Sequence, residues 1–467
     1  MSTHPQLSTP HRCALIEIVG ADNLLTNAAD RWCYGYDNSR RQGVPLAVAF
    51  VTSTAQVQQL LSYCHAERLP VTARGAGTGT TGATVPESDG IVIAFQRMNQ
   101  IITIDPANRL ARVQPGVINA QLQQAVGLYG FFWPPDPTSS AVCTIGGNLA
   151  HNSAGPRAVK YGTPRDNTLG LTAVTGDGTV IRTGVMTTKG VVGYDLTRLM
   201  IGSEGTLALI TEATLKLTPA PAARRTIQIT YADIHAAAAA VAAIMAQPIT
   251  PCALEFMDAA AIAMVREYSD LGIGAEVGAL LMVEVDGAVE CVDGAAAAVT
   301  AAAQVAGMLV ARVATTADEV AALWKTRKAL SPALRHVAPK KINEDVVVPV
   351  AQMAQFVERL AALGREWGIR IVTFGHAGNG NIHVNVLPAA EYEFARAREC
   401  VSAIFNTVIE LGGTLSGEHG VGIEKREFID RELTPAAVEM MWKIKQQFDP
   451  RGILNCGKTL PMSEEMR

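Results

Sequence analysis

The sequence predicts an α+β protein made of two regions with different texture. Residues 45–217 are rich in Gly, Thr and Pro and contain short strand-like runs separated by long loops. After the break at Pro219 and Pro221, strands alternate with amphipathic helices. Of the 467 residues, 48% are apolar and 18% are charged, which is typical of globular chains and not of disordered ones. This length suffices for roughly two to three domains with large buried cores.

In the first region, short apolar runs bounded by Gly and Pro predict strands at 47–51, 69–73, 90–95, 169–174 and 206–217. Apolar residues at helical spacing predict helices at 54–68 and 117–127. The loops between these elements are long, and long loops often carry functional residues.

In the second region, the pattern predicts strands at 227–231, 280–285 and 369–374, and one that ends at 346–349. Helices are predicted at 234–245, 289–305, 350–367 and 436–447. This alternation is compatible with an antiparallel sheet that has helices on one face, or with parallel βαβ units. The pattern does not choose between them.

The charge balance and the cysteines exclude several classes of protein. The net charge is −4 and there is no basic run, so neither nucleic acid nor anionic lipid is an expected partner. The eight cysteines form no Cys-x-x-Cys pair, which argues against an iron–sulfur cluster or a zinc ribbon within this chain. Scattered cysteines are typical of proteins in a reducing cytoplasm.

The N-terminal residues are polar and show no signal-peptide pattern. The alanine-rich stretches at 236–246 and 295–306 are short or only weakly hydrophobic, and they predict buried helices. We therefore expect a soluble cytoplasmic protein without a transmembrane segment, which reaches the inner membrane only through partners. The oligomeric state, including a homodimer, is left open by the sequence.

A glycine-rich loop at 77–82 reads Gly-Thr-Gly-Thr-Thr-Gly. A nicotinamide-binding Rossmann turn needs a strand before this motif and a helix directly after it. The strand is predicted, but the following residues contain Pro86 and polar side chains and predict a turn. Closely spaced glycines let several backbone N–H groups face one anion, and Arg74 adds a positive charge. The alternative is a simple tight turn between strands.

Two further stretches resemble ligand-binding loops. Residues 134–155 are polar, rich in small residues and longer than a structural connection requires. Gly146, Gly147, Ala154 and Gly155 permit close approach to a flat ligand. The third stretch, at 202–207, reads Gly-Ser-Glu-Gly-Thr-Leu.

These three stretches, in this order, resemble the flavoprotein family that includes vanillyl-alcohol oxidase and, more closely, the D-lactate, glycolate and D-2-hydroxyglutarate dehydrogenases. The resemblance covers residues 45–458. It implies an FAD-binding domain in two parts, of the vanillyl-alcohol oxidase type, with a C-terminal ferredoxin-like α+β substrate (cap) domain. The implied domains are an N-terminal helical segment at 1–44, the FAD-binding domain at 45–220, the cap domain at 221–440, and a segment at 441–467 that returns to the FAD-binding domain.

The resemblance also implies the residues that contact FAD. The glycine loop would hold the pyrophosphate, and the other stretches would line the isoalloxazine and the ribose. Because this loop has no histidine, FAD is expected to be non-covalent. Relatives more often have serine near Gly79. The implied residues are Arg74, Gly75, Gly77, Thr78, Gly79, Thr80, Thr81, Gly82, Pro135, Asp136, Thr138, Ser139, Gly146, Gly147, Asn148, Asn152, Ser153, Gly155, Glu204, Gly205, Ile210 and Asn455.

The C-terminal half contains a candidate metal site. Residues 375–385 read Gly-His-Ala-Gly-Asn-Gly-Asn-Ile-His-Val-Asn, and the central glycines predict a turn that brings His376 and His383 together. Glu418 and His419 lie in the segment Gly-Glu-His-Gly-Val-Gly. Two histidines and one carboxylate are a common zinc-binding set. The alternative is that each histidine is a hydrogen-bonded polar residue without a ligand. The family motifs favour His376, His383 and Glu418 as ligands of a divalent metal, with zinc preferred.

One residue of this motif and one of the C-terminal tail depart from the family pattern. Asn379 stands where relatives usually have aspartate, at a position that suits a turn and not a ligand. Cys456 replaces the usual proline.

Three further residues are candidates for substrate binding. Arg327 lies in a Trp-x-x-Arg segment on a predicted helix and would clamp a carboxylate in bidentate fashion. Asn385 shares a strand face with His383 because the two are two residues apart. Lys341 lies close to Asn343, which occupies the place where relatives that accept dicarboxylates have a lysine. This difference leaves a 2-hydroxyglutarate preference open.

The resemblance implies an enzyme that oxidises a small D-2-hydroxy acid to the 2-keto acid. His419 would be the general base, and the hydride would pass to flavin N5. The electron acceptor would be a quinone, a cytochrome, an electron-transfer flavoprotein or an iron–sulfur subunit. The alternatives are a catalytically silent flavin-binding subunit of a larger complex and a metal-free flavin oxidase.

Overall fold

A computed structural model describes residues 6–86, 90–268, 273–338 and 341–461. The side chains of residues 325–328, 331, 332, 335 and 391 lie outside this description.

The strands of the described chain are β1 Leu24–Leu25, β2 Ala47–Phe50, β3 Val71–Arg74, β4 Ile91–Ala94, β5 Ile101–Asp105, β6 Leu110–Val113, β7 Phe131–Phe132, β8 Thr168–Thr175, β9 Val180–Gly184, β10 Ala208–Lys216, β11 Thr218–Pro219, β12 Ala223–Tyr231, β13 Ala253–Asp258, β14 Ala279–Gly287, β15 Met308–Ala314, β16 Ile342–Val347, β17 Arg370–His376 and β18 Asn381–Leu387. The α-helices are α1 Thr9–Val19, α2 Ala28–Trp32, α3 Thr54–Glu67, α4 Asn119–Gly127, α5 Ile145–His151, α6 Ala158–Tyr161, α7 Leu196–Met200, α8 Ile234–Ala246, α9 Ala259–Tyr268, α10 Val289–Ala302, α11 Ala317–Val337, α12 Met353–Trp367, α13 Phe394–Glu410, α14 Ile429–Glu432 and α15 Pro435–Phe448.

The chain divides into two compact units. The first contains the residues up to Gly155, Gly162–Ala220 and the segment from Glu418 onward. The second contains Pro156–Tyr161 and Pro221–Gly417. Residues 418–440 thus belong to the first unit, whereas the sequence places a boundary at residue 441.

The first unit contains a four-stranded sheet in the order β1-β2-β4-β3, a five-stranded sheet, and a two-stranded sheet of β7 and β11. The strands β2, β4 and β3 run parallel in that order. The sequences of β2 (Ala-Val-Ala-Phe) and β4 (Ile-Val-Ile-Ala) are apolar throughout because both of their faces are buried, whereas β3 (Val-Thr-Ala-Arg) ends on the buried Arg74. Helix α3 packs on this sheet through Val57, Leu60, Leu61 and Cys64, which recur at helical spacing. The second sheet is antiparallel in the order β5-β6-β10-β8-β9 and has a core of its own.

The C-terminal segment of the first unit adds to the edge of the parallel sheet. The Val71 N–H donates to the Ile453 carbonyl at 2.8 Å, and the Asn455 N–H donates to the Val71 carbonyl at 2.7 Å. Leu454 is therefore paired beside β3 and fully buried.

The second unit is built on one antiparallel sheet of seven strands, in the order β15-β12-β14-β13-β17-β18-β16. The sequence leaves open an antiparallel sheet or parallel βαβ units, and the pairing shows the antiparallel sheet. Helices α9 and α11 pack around Met257, Met282 and Val372. Because β14 is buried along both of its faces and also contacts α8 and α10, helices cover both sides of the sheet and not one.

The short segment Pro156–Tyr161 belongs to the second unit, although the residues on either side of it in the chain belong to the first. Lys160 and Tyr161 both donate hydrogen bonds to the buried carboxylate of Asp286 on β14, the Tyr161 bond measuring 2.8 Å. None of the helices within the described ranges is both long and apolar enough to cross a membrane.

Candidate functional site

The first unit contains an open cavity where β3 ends. The residues that line it are Ala73, Arg74, Gly75, Ala83, Thr84, Phe95, Pro115, Thr144, Gly146, Gly147, Ala150, His151, Met200, Ser203, Glu204, Gly205, Ala208, Leu209 and Ile210. After Arg74 the chain runs through the glycine loop with no helix up to residue 86, as expected for a turn that is not of the Rossmann type.

Close packing explains two glycines around this cavity. A Cβ atom at Gly75 would lie 2.4 Å from Thr144 Oγ1, and one at Gly146 would lie 2.5 Å from Pro115 Cβ. The loop after β3 therefore approaches the start of α5, where the Thr144 side chain accepts a hydrogen bond from the Gly147 N–H. A Cβ atom at Gly147 would lie 3.3 Å from Thr144 Oγ1, a tight contact, and no other atom of the described chain outside its own helix lies within 4 Å.

Arg74 lines the cavity and also stabilises the neighbouring chain. Its guanidinium donates to the Tyr36 carbonyl at 2.6 Å and lies over the Tyr34 and Tyr36 rings. Burial lowers the pKa of Arg74, and the nearby carboxylate of Asp37 opposes this shift. A Cβ atom at Gly77 would lie 2.3 Å from the Arg74 guanidinium, so glycine lets the loop close over it.

Seven of the residues implied for FAD line this cavity: Arg74, Gly75, Gly146, Gly147, Glu204, Gly205 and Ile210. Asn455, which does not line the cavity, and Glu204, which does, both hold neighbouring loops through hydrogen bonds. Asn455 donates hydrogen bonds to the Ala83 carbonyl at 3.0 Å and to the Glu204 carbonyl at 2.6 Å. Glu204, which is buried, accepts hydrogen bonds from the Val421 and Gly422 N–H groups at 2.5 and 2.7 Å.

His151 is a cavity residue that the sequence does not assign, although it lies within the glycine-rich stretch at 134–155. Its Nδ1 lies 3.1 Å from the carbonyl oxygen of His419, and Thr81 Oγ1 donates to the same oxygen at 3.4 Å. A carbonyl only accepts, so Nδ1 carries the proton in this contact. The backbone of His419, the predicted general base, is thus held by the end of α5 and by the glycine loop.

Glu418 also has contacts within the first unit. Its Oε2 accepts a hydrogen bond from the Gly155 N–H at 2.6 Å, and Ser153 Oγ donates to its backbone carbonyl at 3.2 Å. Gly155 and Ser153 are implied for FAD by the resemblance, and here they hold the candidate metal ligand.

The second unit carries a row of polar side chains on one face of its sheet. The turn after β17 folds back into β18, and the rings of His376 and His383 lie with their centroids 5.2 Å apart and their planes at 86°. Asn385 follows His383 on the same face, and its Oδ1 accepts a hydrogen bond from Lys341 Nζ at 2.7 Å. Arg327 lies on α11, but its side chain lies outside the described part of the chain.

Two carboxylates that the sequence does not assign lie beside the histidines. Glu255 of β13 is the register partner of His376, and Asp345 of β16 is the register partner of His383. Glu255 Oε1 contacts His376 Nδ1, and Asp345 Oδ1 lies 3.6 Å from His383 Nδ1. Imidazoles together with carboxylates are donors that suit a zinc-like divalent metal, so the residues present fit such an ion.

The comparisons agree with this architecture. A model of the FAD binding domain matches residues 45–184, and a model of the C-terminal domain of FAD linked oxidases matches residues 220–459. The glycolate oxidase subunit GlcD of Bacillus subtilis (strain 168) is 39% identical over 447 residues, which cover 95% of each chain. A D-lactate dehydrogenase of Anaerostipes hadrus is 34% identical over 425 residues, covering 89% of each chain.

A D-2-hydroxyglutarate dehydrogenase of Stutzerimonas stutzeri (strain A1501) is 31% identical over 452 residues, covering 94% of this chain and 97% of the relative. Among solved structures, 4-ethylphenol oxidase from Gulosibacter chungangensis in its isoeugenol complex matches with a TM-score of 0.79 at 19% identity and covers 97% of both chains. p-Cresol methylhydroxylase with substrate bound matches with a TM-score of 0.77 at 18% identity and 96% coverage of both. These two matches concern the fold alone.

The chain therefore belongs to the FAD-linked oxidase family, and it is an FAD-linked oxidoreductase. The resemblance that the sequence motifs indicate is confirmed, as is the α+β fold of the vanillyl-alcohol oxidase type.

Proposed function

We propose that this protein oxidises a small D-2-hydroxy acid, of the glycolate, D-lactate or D-2-hydroxyglutarate type, to the 2-keto acid. The relatives that cover nearly the whole chain carry the names of enzymes for these acids. The observation that supports the chemistry most strongly is the pair of histidines, His376 and His383, held together on one face of the sheet of the second unit.

The proposed metal ligands are His376, His383 and Glu418, and zinc is the proposed ion. Bound FAD supplies the hydride acceptor, and the divalent metal supplies a Lewis acid that favours ionisation of a hydroxyl group. In support of Glu418, the residue before it in the chain, Gly417, donates its N–H to Asp345 Oδ2 at 2.9 Å, and Asp345 is paired with His383.

The protein's own residues would bind the substrate and move one proton. His419 would accept the hydroxyl proton as general base. Arg327 and Asn385 would orient the substrate carboxylate, with Lys341 adding a positive charge beside Asn385. In the first unit, the cavity residues from Arg74 to Gly75 and from Gly146 to Gly147 would hold FAD without a covalent bond.

The position of Asn343 bears on the choice of acid. Asn343 is the register partner of Asn385, and its side-chain oxygen is buried without a hydrogen-bond partner among the described residues. An amide carries no positive charge that could pair with the second carboxylate of a dicarboxylate, unlike the lysine of the relatives. This feature favours glycolate or D-lactate over a dicarboxylate.

The experiment is an anaerobic visible spectrum of the purified protein before and after addition of each acid. We expect that glycolate or D-lactate bleaches the flavin bands, and that removal of the metal beforehand prevents the bleaching. A flavin spectrum that none of the three acids changes would contradict the proposed substrate class. Bleaching that is equally fast after metal removal would contradict the catalytic role of the metal but not the proposed substrate class.

The electrons must then leave the reduced flavin. We propose a quinone, a cytochrome, an electron-transfer flavoprotein or an iron–sulfur subunit as acceptor. Stopped-flow reoxidation with a quinone analogue, cytochrome c and oxygen in parallel would separate these classes from an oxidase, because an oxidase reoxidises rapidly in air.

A further inference from the structure

Two buried carboxylates stand directly opposite the two histidines in the sheet of the second unit. Glu255 and His376 are cross-strand partners on β13 and β17, and Asp345 and His383 are cross-strand partners on β16 and β18. Directly opposite residues share a sheet face and lie close together. Glu255 is 3% exposed and Asp345 is fully buried, so water hardly reaches either carboxylate.

Both carboxylates face the same ring nitrogen of their histidine. Glu255 Oε1 contacts His376 Nδ1, and Asp345 Oδ1 lies 3.6 Å from His383 Nδ1. A carboxylate that accepts from Nδ1–H, as Glu255 is placed to do for His376, fixes the tautomer in which Nε2 keeps its lone pair. The same contact increases the basicity of Nε2 and therefore its strength as a ligand. At 3.6 Å, Asp345 lies beyond hydrogen-bond distance of His383 Nδ1 and acts on that ring through its negative charge.

We propose that Glu255 and Asp345 are positioning residues, which orient His376 and His383 so that Nε2 of each ring binds the metal. This inference rests on the proposed metal site and adds two residues to it. Neither carboxylate needs to bind the ion itself.

Asp345 is oriented by further hydrogen bonds. Asn381 Nδ2 donates to its Oδ1 at 2.6 Å, and the Gly417 N–H donates to its Oδ2 at 2.9 Å. Burying a carboxylate is costly unless hydrogen bonds compensate, and these two contacts do so. Asp345 thus connects one histidine with the backbone immediately before Glu418, so its loss would disturb two proposed ligands at once.

Glu255 contacts the histidine of the neighbouring strand, whereas Asp345 also accepts hydrogen bonds from Asn381 and from the Gly417 backbone. The Glu255 contact joins β13 to β17 at the last residue of β17, after which the chain turns. We therefore expect loss of Glu255 to affect metal affinity without affecting the FAD cavity of the first unit.

The experiment compares Glu255→Gln and Asp345→Asn with the wild type, each purified with FAD bound. The matched control is Glu284→Gln, which alters a carboxylate of the same sheet that accepts hydrogen bonds from Thr226 and Trp324. Zinc affinity is measured by competition with a chromogenic chelator, and the site geometry by the visible spectrum of the Co²⁺ form.

We expect zinc affinity about 10- to 100-fold weaker in both variants, because this is the usual effect of removing a carboxylate that orients a histidine ligand. We also expect an altered Co²⁺ spectrum, an unchanged FAD content, and wild-type affinity in the control. Glu255→Asp, which keeps the charge, serves if Glu255→Gln fails to fold, and it should bind zinc more tightly than any amide variant.

Zinc affinity within twofold of the wild type in both Glu255→Gln and Asp345→Asn would overturn the inference and leave the proposed metal site intact. A stoichiometric loss of zinc together with loss of one protein ligand from the Co²⁺ spectrum would also overturn it, since the carboxylate would then be a ligand. A wild-type protein that binds no divalent metal would instead refute the proposed function's metal site.

Discussion

The cavity of the first unit and the histidine pair of the second are built from different chemical groups. In the first, the cavity is bordered by glycine loops and by the small residues of α5, which leave backbone groups accessible beside apolar side chains. In the second, polar side chains stand on neighbouring antiparallel strands and point to one face. A large anionic cofactor can be held by many backbone N–H groups, whereas a metal needs a few lone pairs at defined points.

This difference implies that the two sites respond to different substitutions. The cavity should tolerate changes of polar side chains but not added bulk at a glycine. The strand site should tolerate bulk elsewhere but not a change of its donor atoms. Because FAD content and metal content are measured independently, each substitution can be assigned to one site.

The largest effect is expected from His419→Ala. Loss of a general base lowers a rate by about 10²- to 10⁴-fold, so flavin reduction by substrate should slow by that factor. FAD content should stay normal, because the His419 contacts with His151 and Thr81 use its backbone carbonyl. Stopped-flow reduction without oxygen measures this rate. A rate equal to that of the wild type would remove His419 from the mechanism.

A large effect is also expected from His383→Ala, which removes one proposed metal ligand. The variant should retain FAD but contain less than a tenth of the metal found in the wild type, as measured by elemental analysis. The control is His235→Ala, an exposed histidine of α8 that contacts Glu358 and should leave both contents unchanged. Normal metal content in His383→Ala would show that the ion binds elsewhere.

A moderate effect is expected from Gly147→Val in the cavity of the first unit. Its side chain would extend into space that is open beyond Thr144, where the cofactor would lie. We expect FAD affinity to fall by about tenfold or more, since the bulk competes for buried volume, while metal content stays normal. Gly127→Val is the matched control, because nothing lies within 4 Å of its Cβ position at the end of α4. Equal FAD affinity in the two variants would place the cofactor outside this cavity.

The smallest effect concerns pH and Asp258, a buried carboxylate of the second unit. Burial raises the pKa of Asp258 to about 6, against the hydrogen bonds that it accepts from Ala261 and Thr373. The unfolded pKa is about 3.9, so the folded state binds this proton more tightly. The corresponding stability, on the order of 3 kcal/mol, is present below about pH 4 and is lost as the pH rises through 6.

The stability of the wild type relative to Asp258→Asn should therefore fall between pH 4 and pH 6 and stay level above that. Thermal melts of both proteins across this range test the expectation. A stability difference that does not change with pH would show that Asp258 is ionised throughout.

The sequence predicts much of the second unit's local structure. Strands at 227–231, 280–285 and 369–374 and helices at 234–245 and 350–367 are confirmed within a few residues. Gly or Pro borders the elements at 280–285, 350–367 and 369–374, and the apolar residues of 350–367 recur at helical spacing. The sequence does not predict the strand order, because pairing depends on which apolar faces meet after the chain has folded.

The residues of the candidate sites also differ in whether a local motif predicts them or only long-range packing brings them together. His376, His383 and Asn385 lie within one short motif, and strand alternation with a glycine turn is enough to predict that they meet. Glu255 precedes His376 by 121 residues and was not identifiable, since an isolated glutamate in a strand carries no motif. The sequence predicts that Arg74 adds a positive charge at the glycine loop, but its contacts with Tyr34 and Tyr36 depend on long-range packing that no local pattern indicates.

By itself, then, the sequence determined the family, the α+β class, the glycine loops and the histidine turn, because these depend on local spacing and on backbone freedom that short segments encode. Only the tertiary structure decided that the sheet of the second unit is antiparallel with helices on both sides and that residues 418–440 belong to the first unit. It also decided that Glu255 and Asp345 stand opposite His376 and His383. Cross-strand register between distant segments decides these features, and it is set by the burial of whole apolar faces, which no single segment can specify.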